Sequence, residues 1–193
     1  MPRTKEFDEA VVLQKAIELF WKKGYHATSI QDLVSHLGIN RASLYNSFGD
    51  KKSLFNKAMK GYQQQNQSEI QQLLDSQLPV KEFIRLFLYR VIKQSVNDPD
   101  CKGCFVVNAT IELAPLDEFI SGFASDNFAG FSVLFSNLIL KGQEQGEIAA
   151  DKNPLALARF FFSTTNGLQV LVKLRPGREA LTDIIETALS VLD

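Results

Sequence analysis

Cysteine, histidine and tryptophan are scarce in this chain of 193 residues, which has two, two and one of them. Cys101 and Cys104 form a single C-K-G-C pair, and the two histidines, His26 and His36, lie far from it along the chain. A tetrahedral zinc site needs four such ligands close together. We therefore expect no metal site, and nothing in the composition calls for a cofactor.

Motifs of common enzyme active sites are also missing. The sequence has no glycine-rich phosphate loop after a strand pattern, no HExxH and no nucleophile elbow. Residues 2–6 are polar and lack an apolar signal core, and no apolar run approaches the length that a bilayer requires. We expect a cytoplasmic protein that is not an enzyme, has no catalytic residues, does not enter a membrane and holds no structural disulfide.

Charge is close to balanced over the whole chain, at a formal −1, but it is distributed unevenly. Residues 1–60 contain 10 Lys and Arg against 6 Asp and Glu, whereas residues 61–193 contain 11 against 16. The first part is therefore +4 and the second −5. A positive excess on a small domain suits contact with phosphates, and an acidic remainder would keep DNA at one end.

Residues 28–52 read as two short amphipathic helices joined by a glycine turn. Thr28 and Gln31 fit a capping box, which predicts a helix start there. The apolar residues of this first helix recur at helical spacing: Ile30, Leu33, Val34 and Leu37. Gly38 supplies a left-handed residue that ends the helix, and Asn40 is suited to cap the next one. This pattern predicts a helix-turn-helix.

The second of these helices has few inward anchors, Leu44 and Phe48, so most of its side chains are free to contact DNA. In a helix-turn-helix this helix lies in the major groove and presents its N-terminal residues to base edges. Arg41 can reach a guanine edge or a phosphate, and small neighbours let the backbone approach. The predicted DNA-binding residues are Thr28, Ser29, Arg41, Ala42, Ser43, Tyr45, Asn46, Lys51 and Lys52.

This region resembles the DNA-binding domain of the TetR family of bacterial transcriptional regulators. The resemblance rests on the combined spacing of these elements: Ala16, Leu19 and Phe20 before Gly24-Tyr25, Thr28-Ser29-Ile30, Leu37-Gly38-Ile39, Leu44-Tyr45, Phe48, and Lys51 with Leu54. Asn46 stands where many members carry His, and Arg41 and Ala42 occupy variable positions, so no operator sequence transfers. The alternative is a helical interaction module without sequence-specific DNA binding.

Helical patterns continue to the end of the chain, and no strand pattern competes with them. The predicted helices begin near Asp8, after Asp50, at Val80, at Gly103, before Phe119, at Asn153-Pro154 and after Pro176-Gly177. We predict an all-α fold with an N-terminal three-helix DNA-binding domain and a larger helical domain. The domains are a helix-turn-helix domain at 1–49, a connecting helix at 50–78, and an effector-binding and dimerisation domain at 79–193.

The last two predicted helices carry more apolar residues than one inward stripe needs, which indicates a subunit interface. The resemblance implies that they pack against their symmetry mates as a four-helix bundle. It places these residues near the two-fold axis: Phe161, Thr165, Leu168, Val172, Ile184 and Ala188. Two reading helices about 34–36 Å apart match successive major grooves. We therefore expect a homodimer on a palindromic site in double-stranded DNA.

Phenylalanine is abundant, with fifteen residues, many of them between positions 83 and 162. The resemblance places the ligand cavity of the family in this region, and the phenylalanines favour a small apolar or aromatic effector. A well-filled core is the alternative explanation for any one of them. The predicted ligand contacts are Cys104, Phe105, Asn108, Glu112, Phe123, Asn127, Phe131, Phe162 and Asn166.

The two cysteines leave a second mode of regulation open. Cys104 stands at a predicted helix start, where the helix dipole favours a thiolate that reacts with electrophiles or oxidants. In the alternative, Cys104 is a small buried residue and Cys101 an exposed loop thiol. The sequence thus predicts a repressor released by a ligand, with a thiol-sensing regulator that uses Cys104, with or without Cys101, as the alternative.

Overall fold

The computed structural model describes residues 7–193, and this part of the chain is helical, with no strand. The all-α prediction is confirmed. The polar segment 2–6 lies outside the described residues. The chain divides into two compact units, of which the first ends at Ser68 and the second begins at Glu69.

The first unit contains three complete helices and most of a fourth. These are α1 (Glu9–Lys23), α2 (Ile30–Leu37), α3 (Arg41–Phe48) and α4 (Lys51–Asp75), the last of which ends in the second unit. Asp8 caps α1 by accepting from the backbone N–H of Ala10 at 2.8 Å, and Asp50 caps α4 through Ser53 at 2.7 Å. Both predicted starts are confirmed. The core is made of side chains that are fully or almost fully buried, including Phe20, Leu33, Leu44, Leu54 and Phe55.

The cap of α2 differs from its prediction. Ser29, not Thr28, is the capping residue: its Oγ accepts from the Asp32 N–H at 3.0 Å, and its own N–H donates to Asp32 Oδ2 at 2.9 Å. The pairing of Thr28 with Gln31 was therefore wrong by one residue. Thr28 is fully buried and its hydroxyl donates to the Gly24 carbonyl at 2.6 Å, so its side chain fastens the preceding turn.

The second unit contains the remaining helices. These are α5 (Val80–Val96), α6 (Phe105–Leu113), α7 (Glu118–Glu144), α8 (Pro154–Leu171), a single 3₁₀ turn (Val172–Leu174) and α9 (Arg178–Ser190). Asn153 caps α8 by accepting from Ala156 N–H at 3.0 Å, as predicted. α6 begins two residues later than predicted, because Gly103 is left-handed at φ 66° and cannot start a helix.

Phenylalanine rings fill the core of this unit. Phe135 is fully buried, stacks on Phe131 with ring centroids 4.0 Å apart, and meets Phe87 at 5.0 Å and Phe83 at 6.1 Å. α7 carries two of these rings and packs along α8. Much of the phenylalanine excess therefore serves the core.

α7 is also long and apolar enough to cross a membrane by length and composition, with 27 residues and a mean hydropathy of 1.2 over one 18-residue stretch. The expectation that no segment approaches that length was wrong. One such helix is weak evidence for membrane insertion, because core helices of other proteins meet the same criterion.

Candidate nucleic-acid interface and ligand cavity

A three-residue turn sets α3 against α2. Gly38 ends α2 with a left-handed conformation at φ 70°, and its N–H donates to the Val34 carbonyl at 3.1 Å. Asn40 then caps α3 by accepting from Ser43 N–H at 2.8 Å, as predicted. Leu44 and Phe48 are buried and hold α3 on the core of the first unit. The segment is a helix-turn-helix whose second helix is fixed at both ends.

The opposite face of α3 is open to solvent. Arg41, Ala42 and Asn46 are exposed, Tyr45 is largely exposed, and Ser43 is half-buried. The guanidinium of Arg41 lies over the Tyr45 ring at 5.7 Å. Arginine and asparagine have the donor patterns that recognise guanine and adenine in the major groove, so this face has the chemistry to read bases.

Two lysines at the start of α4 lie over a tyrosine of the first unit. Lys51 Nζ is 4.3 Å from the ring centroid of Tyr25, and Lys52 Nζ is 5.6 Å from it. Tyr25 also packs against Phe55, with ring centroids 4.9 Å apart. The aromatic ring restrains both ammonium groups, which favours phosphate contacts. Nothing in the sequence spacing links Tyr25 to lysines that follow it by 26 and 27 residues, so this contact was not predicted.

The N-terminus of α2 is stabilised by charge. Asp32 pairs with Lys23 at 2.8 Å. The hydrogen bond from Lys23, together with those from Ser29, holds the pKa of Asp32 far below its usual range. Ser29 is exposed, but its hydroxyl takes part in the cap and also donates to Asp32 at 2.7 Å.

Eight of the nine predicted DNA-binding residues thus lie on or near the surface of one small unit. Thr28 is the exception, because it is buried and its hydroxyl already donates to a backbone carbonyl. A direct side-chain contact between Thr28 and DNA is excluded by this burial. Its role is to fix the turn that precedes α2.

The second unit contains a cavity of about 900 Å³ between α6, α7 and α8. Its wall is mostly apolar and is formed by Val106, Val107, Thr110, Ile111, Ala124, Ser125, Asn127, Phe128, Arg159, Phe162, Ser163, Asn166, Gly167 and Val170. The volume falls within the range of small-molecule sites. Three of the predicted ligand residues, Asn127, Phe162 and Asn166, line it.

The other six predicted ligand residues do not line this cavity. Phe105 is buried in the core, and Phe131 stacks on Phe135. The Asn108 amide donates to the Lys102 carbonyl at 2.8 Å and fastens a loop. Phe123 stacks on Phe119, while Cys104 and Glu112 are half-buried outside the wall. Their assignment as ligand contacts stays a prediction, since the sequence does not tell which side of α6 and α7 faces the opening.

The cavity residues of α8 were partly missed, although they follow a helical period. Arg159, Ser163 and Gly167 are spaced by four residues and form one stripe, and Phe162, Asn166 and Val170 form the next. This four-residue spacing was the sequence signal that could have identified the cavity residues of α8.

Four of the six predicted dimer residues point into their own subunit. Phe161, Leu168, Val172 and Ala188 are buried in the core, so they cannot form an exposed interface. Thr165 is half-buried and its hydroxyl donates to the Phe161 carbonyl at 2.7 Å. Only Ile184 is exposed. The large exposed apolar side chains of α8 and α9 are Leu155, Phe160, Val170 and Ile184.

The cysteine loop packs tightly against α8. Cys101 and Cys104 are both free thiols and both half-buried, and Cys104 immediately precedes α6. A Cβ on the intervening Gly103 would collide with the Gln169 carbonyl oxygen and lie 3.3 Å from Lys173 Cε. The backbone at Gly103 therefore lies in close contact with α8.

Profiles of two known domains match the chain. The one described as "Bacterial regulatory proteins, tetR family" matches residues 12–58. The one described as "Tetracyclin repressor-like, C-terminal domain" matches residues 81–188. The first match covers the helix-turn-helix, and the second covers the unit that holds the cavity.

Individual proteins are similar over almost the whole chain. The uncharacterized HTH-type transcriptional regulator YezE of Bacillus subtilis (strain 168) is 36% identical over 100% of both chains. The HTH-type transcriptional repressor DhaR of Mycobacterium sp. (strain GP1) is 24% identical over 94% of this chain and 90% of its own. A cysteine mutant of the TetR family transcriptional regulator CifR, complexed with 26 bp double-strand operator DNA, is 30% identical over 99% of this chain and 100% of its own, with a TM-score of 0.87.

Proposed function

The chain belongs to the TetR family of bacterial transcriptional regulators, and from this premise we propose that it is a homodimeric repressor that a small effector releases from a palindromic operator. The observation that carries the proposal is the open face of α3, which is capped at Asn40 and anchored by Leu44 and Phe48. A helix held in this way presents its polar side chains without moving. The chain is a regulator and not an enzyme.

Two kinds of contact hold the operator. Arg41 and Asn46 donate to base edges, and the small Ala42 allows α3 to enter the groove. Lys51 and Lys52, restrained on Tyr25, bind phosphates and fix the register. Ser29, Ser43 and Tyr45 add phosphate contacts from the same surface. The CifR mutant, which is bound to operator DNA, supports this use of the unit.

Dimerisation uses the exposed apolar side chains of α8 and α9 that lie outside the cavity wall, Leu155, Phe160 and Ile184. Phe160 and Ile184 border one groove between these helices, together with Thr164 and Thr187. Burying such side chains against a second copy contributes roughly 25 cal/mol per Å². The dimer presents two reading helices about 34–36 Å apart, which selects an inverted repeat.

Release follows from a shift between two populations of the dimer. The effector binds more tightly to the dimer in which the spacing of the two α3 helices does not match successive major grooves. The helix α4 connects the two units along the chain. A coupling of about 1–3 kcal/mol lowers operator affinity roughly 5–150-fold. We place this activity in the cytoplasm, where a bacterial operator is accessible.

Selection of bound sequences from random duplex DNA tests the proposal. We expect an enriched palindrome whose central or flanking preference relaxes when Arg41→Ala removes one base contact. Arg178→Ala, an exposed arginine at the start of α9, is the matched control and leaves the site unchanged. A folded dimer that enriches no site at low salt refutes DNA recognition, and an enriched site without two-fold symmetry refutes the palindrome.

Thiol sensing is the second candidate function, and the position of the free thiol Cys104 at the start of α6 favours it. Cys104 is a half-buried free thiol directly before α6, and α6 borders the cavity, so a group attached to this thiol is added next to that helix. We expect N-ethylmaleimide to weaken operator binding in the wild type and in Cys101→Ser, but not in Cys104→Ser. Equal responses of all three proteins refute this mode of release.

A further inference from the structure

We propose that the cavity between α6, α7 and α8 takes a small amphipathic anion, with an apolar or aromatic body and one carboxylate that Arg159 binds. This inference rests on the proposed release by an effector and adds the chemical class of that effector. It concerns the charge of the ligand, which the phenylalanine content of the chain does not address.

Charge is the first argument. Of the described residues that form the cavity wall, Arg159 is the only charged one, and Glu112 of α6 lies outside that wall. Among residues 7–193, Arg159 has no ion-pair or hydrogen-bond partner. An unpaired guanidinium beside an apolar surface attracts an anion, and its planar donors match a carboxylate with two parallel hydrogen bonds.

The position of neutral polar groups gives the second argument. Ser163 lies one turn after Arg159 on the same stripe of α8, so its hydroxyl can donate to the same carboxylate. Asn166 and Asn127 reach the cavity from α8 and α7 and supply further amide donors. The neutral polar groups of the wall can all donate to a carboxylate, and none of the described wall residues carries the negative charge that a cationic ligand needs.

Uncovered apolar surface gives the third argument. Ile111, Phe128 and Val170 line the cavity yet remain exposed to solvent. Phe128 and Phe162 meet edge to face, with centroids 5.0 Å apart, and form an aromatic wall. Gly167 leaves open space above α8, since no atom lies within 4 Å of the point that a Cβ would occupy. A hydrocarbon chain or ring fits this wall while its charged end meets Arg159.

Matched ligands separate the head group from the body. We would measure binding by calorimetry with decanoate, decanamide and decylamine, and with 4-phenylbutyrate, 4-phenylbutyramide and 4-phenylbutylamine. The carboxylate of at least one set should bind about tenfold tighter than its amide, and the amine should bind weakest. The same ligands would then be added to the protein bound to its selected operator, where the carboxylate should cause the greatest release.

Variants assign the preference to the cavity. Arg159→Gln should abolish the preference for carboxylate over amide, whereas Arg178→Gln, an exposed arginine outside the wall, should retain it. Gly167→Phe should block all ligands by filling the open space. Light scattering on each variant checks that the dimer persists.

Four results would overturn the inference. They are equal binding of carboxylate and amide, a preference for the amine, a carboxylate preference that survives Arg159→Gln, and dissociation of the dimer by Arg159→Gln, which would assign this arginine to the partner. If operator binding persists in these cases, the proposed repressor function stands and only the effector class fails. If no operator is found but the carboxylate preference holds, the repressor function fails and the assigned ligand class stands.

Discussion

The unit that ends at Ser68 and the unit that begins at Glu69 expose different chemistry. The first buries most of its large apolar side chains, with Val11 of α1 exposed, and presents arginine, tyrosine and asparagine on α3. The second exposes Ile111, Leu116 and Val133 at 67%, 87% and 61%. A polar face next to a fixed helix suits DNA, whereas uncovered apolar faces suit a second subunit and an apolar ligand.

The same contrast appears in charge. Residues 1–60 carry the positive excess and the remainder the negative one, so phosphates are attracted to one unit and repelled from the other. The apolar faces of the second unit are therefore free for partners other than DNA. Variants in one unit, with signals recorded from both units, test whether the two units behave independently.

The largest effect is expected from Phe135→Ala. This side chain is fully buried among Phe83, Phe87 and Phe131, so its removal leaves a cavity and costs about 3–5 kcal/mol. Trp21, the only tryptophan, lies in α1 and reports on the first unit. The unfolding midpoint that circular dichroism records for the whole chain should therefore fall. The midpoint that Trp21 fluorescence records for the first unit should stay close to the wild-type value.

Phe20→Ala is the matched variant in the first unit, where Phe20 packs edge to face on Phe55 at 5.0 Å. It should lower the unfolding midpoint recorded by Trp21 fluorescence more than Phe135→Ala does. If both variants shift both signals equally, the two units unfold as one and the division is wrong for stability.

Gly103→Ala should have the next largest effect. Its Cβ would collide with the Gln169 backbone, and φ 66° is a conformation that alanine adopts at a cost. We expect a loss of about 2–4 kcal/mol in the second unit, because the colliding atom belongs to a helix backbone. Gly146→Ala is the control, with φ 74° but open space around it, and should cost only about 1–2 kcal/mol. Equal losses in the free energy of urea unfolding for the two variants would show that the loop at Gly103 moves away from α8 and relieves the collision.

The two units also differ in how far the sequence predicted them. In both units, caps were readable from short motifs: Asp8, Asn40, Asp50 and Asn153 each cap the predicted helix. The cap at Ser29 was misassigned because Thr28 and Ser29 are adjacent hydroxyl residues, each followed at three positions by a side chain that can complete the box. From the sequence, Thr28 and Ser29 were equivalent candidates for the cap. The burial of Thr28 in the folded chain leaves Ser29 as the capping residue.

Helix faces were predictable only where polar and apolar residues alternate clearly. In α3, Leu44 and Phe48 face inward as predicted, while Arg41, Ala42, Tyr45 and Asn46 are exposed and the two serines are half-buried. In α8, three consecutive phenylalanines point in different directions: Phe160 is exposed, Phe161 is buried and Phe162 lines the cavity. A hydrophobic period cannot rank neighbours of equal hydrophobicity, so the sequence does not tell which of these three rings is buried, which is exposed and which lines the cavity.

Asn40→Ala should cost about 1 kcal/mol by removing the cap of α3. Asn153→Ala removes the equivalent cap of α8 and should cost the same amount. The division predicts that only the first variant weakens operator binding at a temperature where both proteins are folded. Gel-shift titrations on the selected operator compare them, and a similar loss of affinity in Asn153→Ala would connect the α8 terminus to DNA recognition.

Gly130→Ala should stabilise the second unit. Gly130 lies within α7, is exposed and has no atom within 4 Å of a Cβ position, so alanine gains about 0.5–1 kcal/mol of helix stability. Gly142→Ala is the contrasting variant on the same helix, because its Cβ would lie 2.8 Å from Ile148 Cδ1. A rise in the unfolding midpoint for the first and a fall for the second are expected. A destabilised Gly130→Ala dimer would place this face of α7 against the partner.

The smallest effect is expected from the pH dependence of the first unit. The pKa of Asp32 is lowered by its hydrogen bonds with Lys23 and Ser29, so its stabilisation is present above the unfolded pKa of about 3.9. The stabilisation is lost as the pH falls below that value toward the folded pKa. Asp32→Asn should flatten this acid-dependent decline in Trp21 fluorescence midpoints. Asp193, whose pKa the hydrogen bond from Lys81 also lowers, is the control in the second unit.

The Asp193→Asn variant should leave the Trp21 midpoint unchanged at every pH, since its ion pair lies at the other end of the chain. Both carboxylates are exposed, so solvent screens their ion pairs and the differences are largest at low salt. If Asp193→Asn flattens the Trp21 profile as much as Asp32→Asn does, acid acts on both units together. The electrostatic separation of the DNA-binding unit from the remainder would then not extend to its stability.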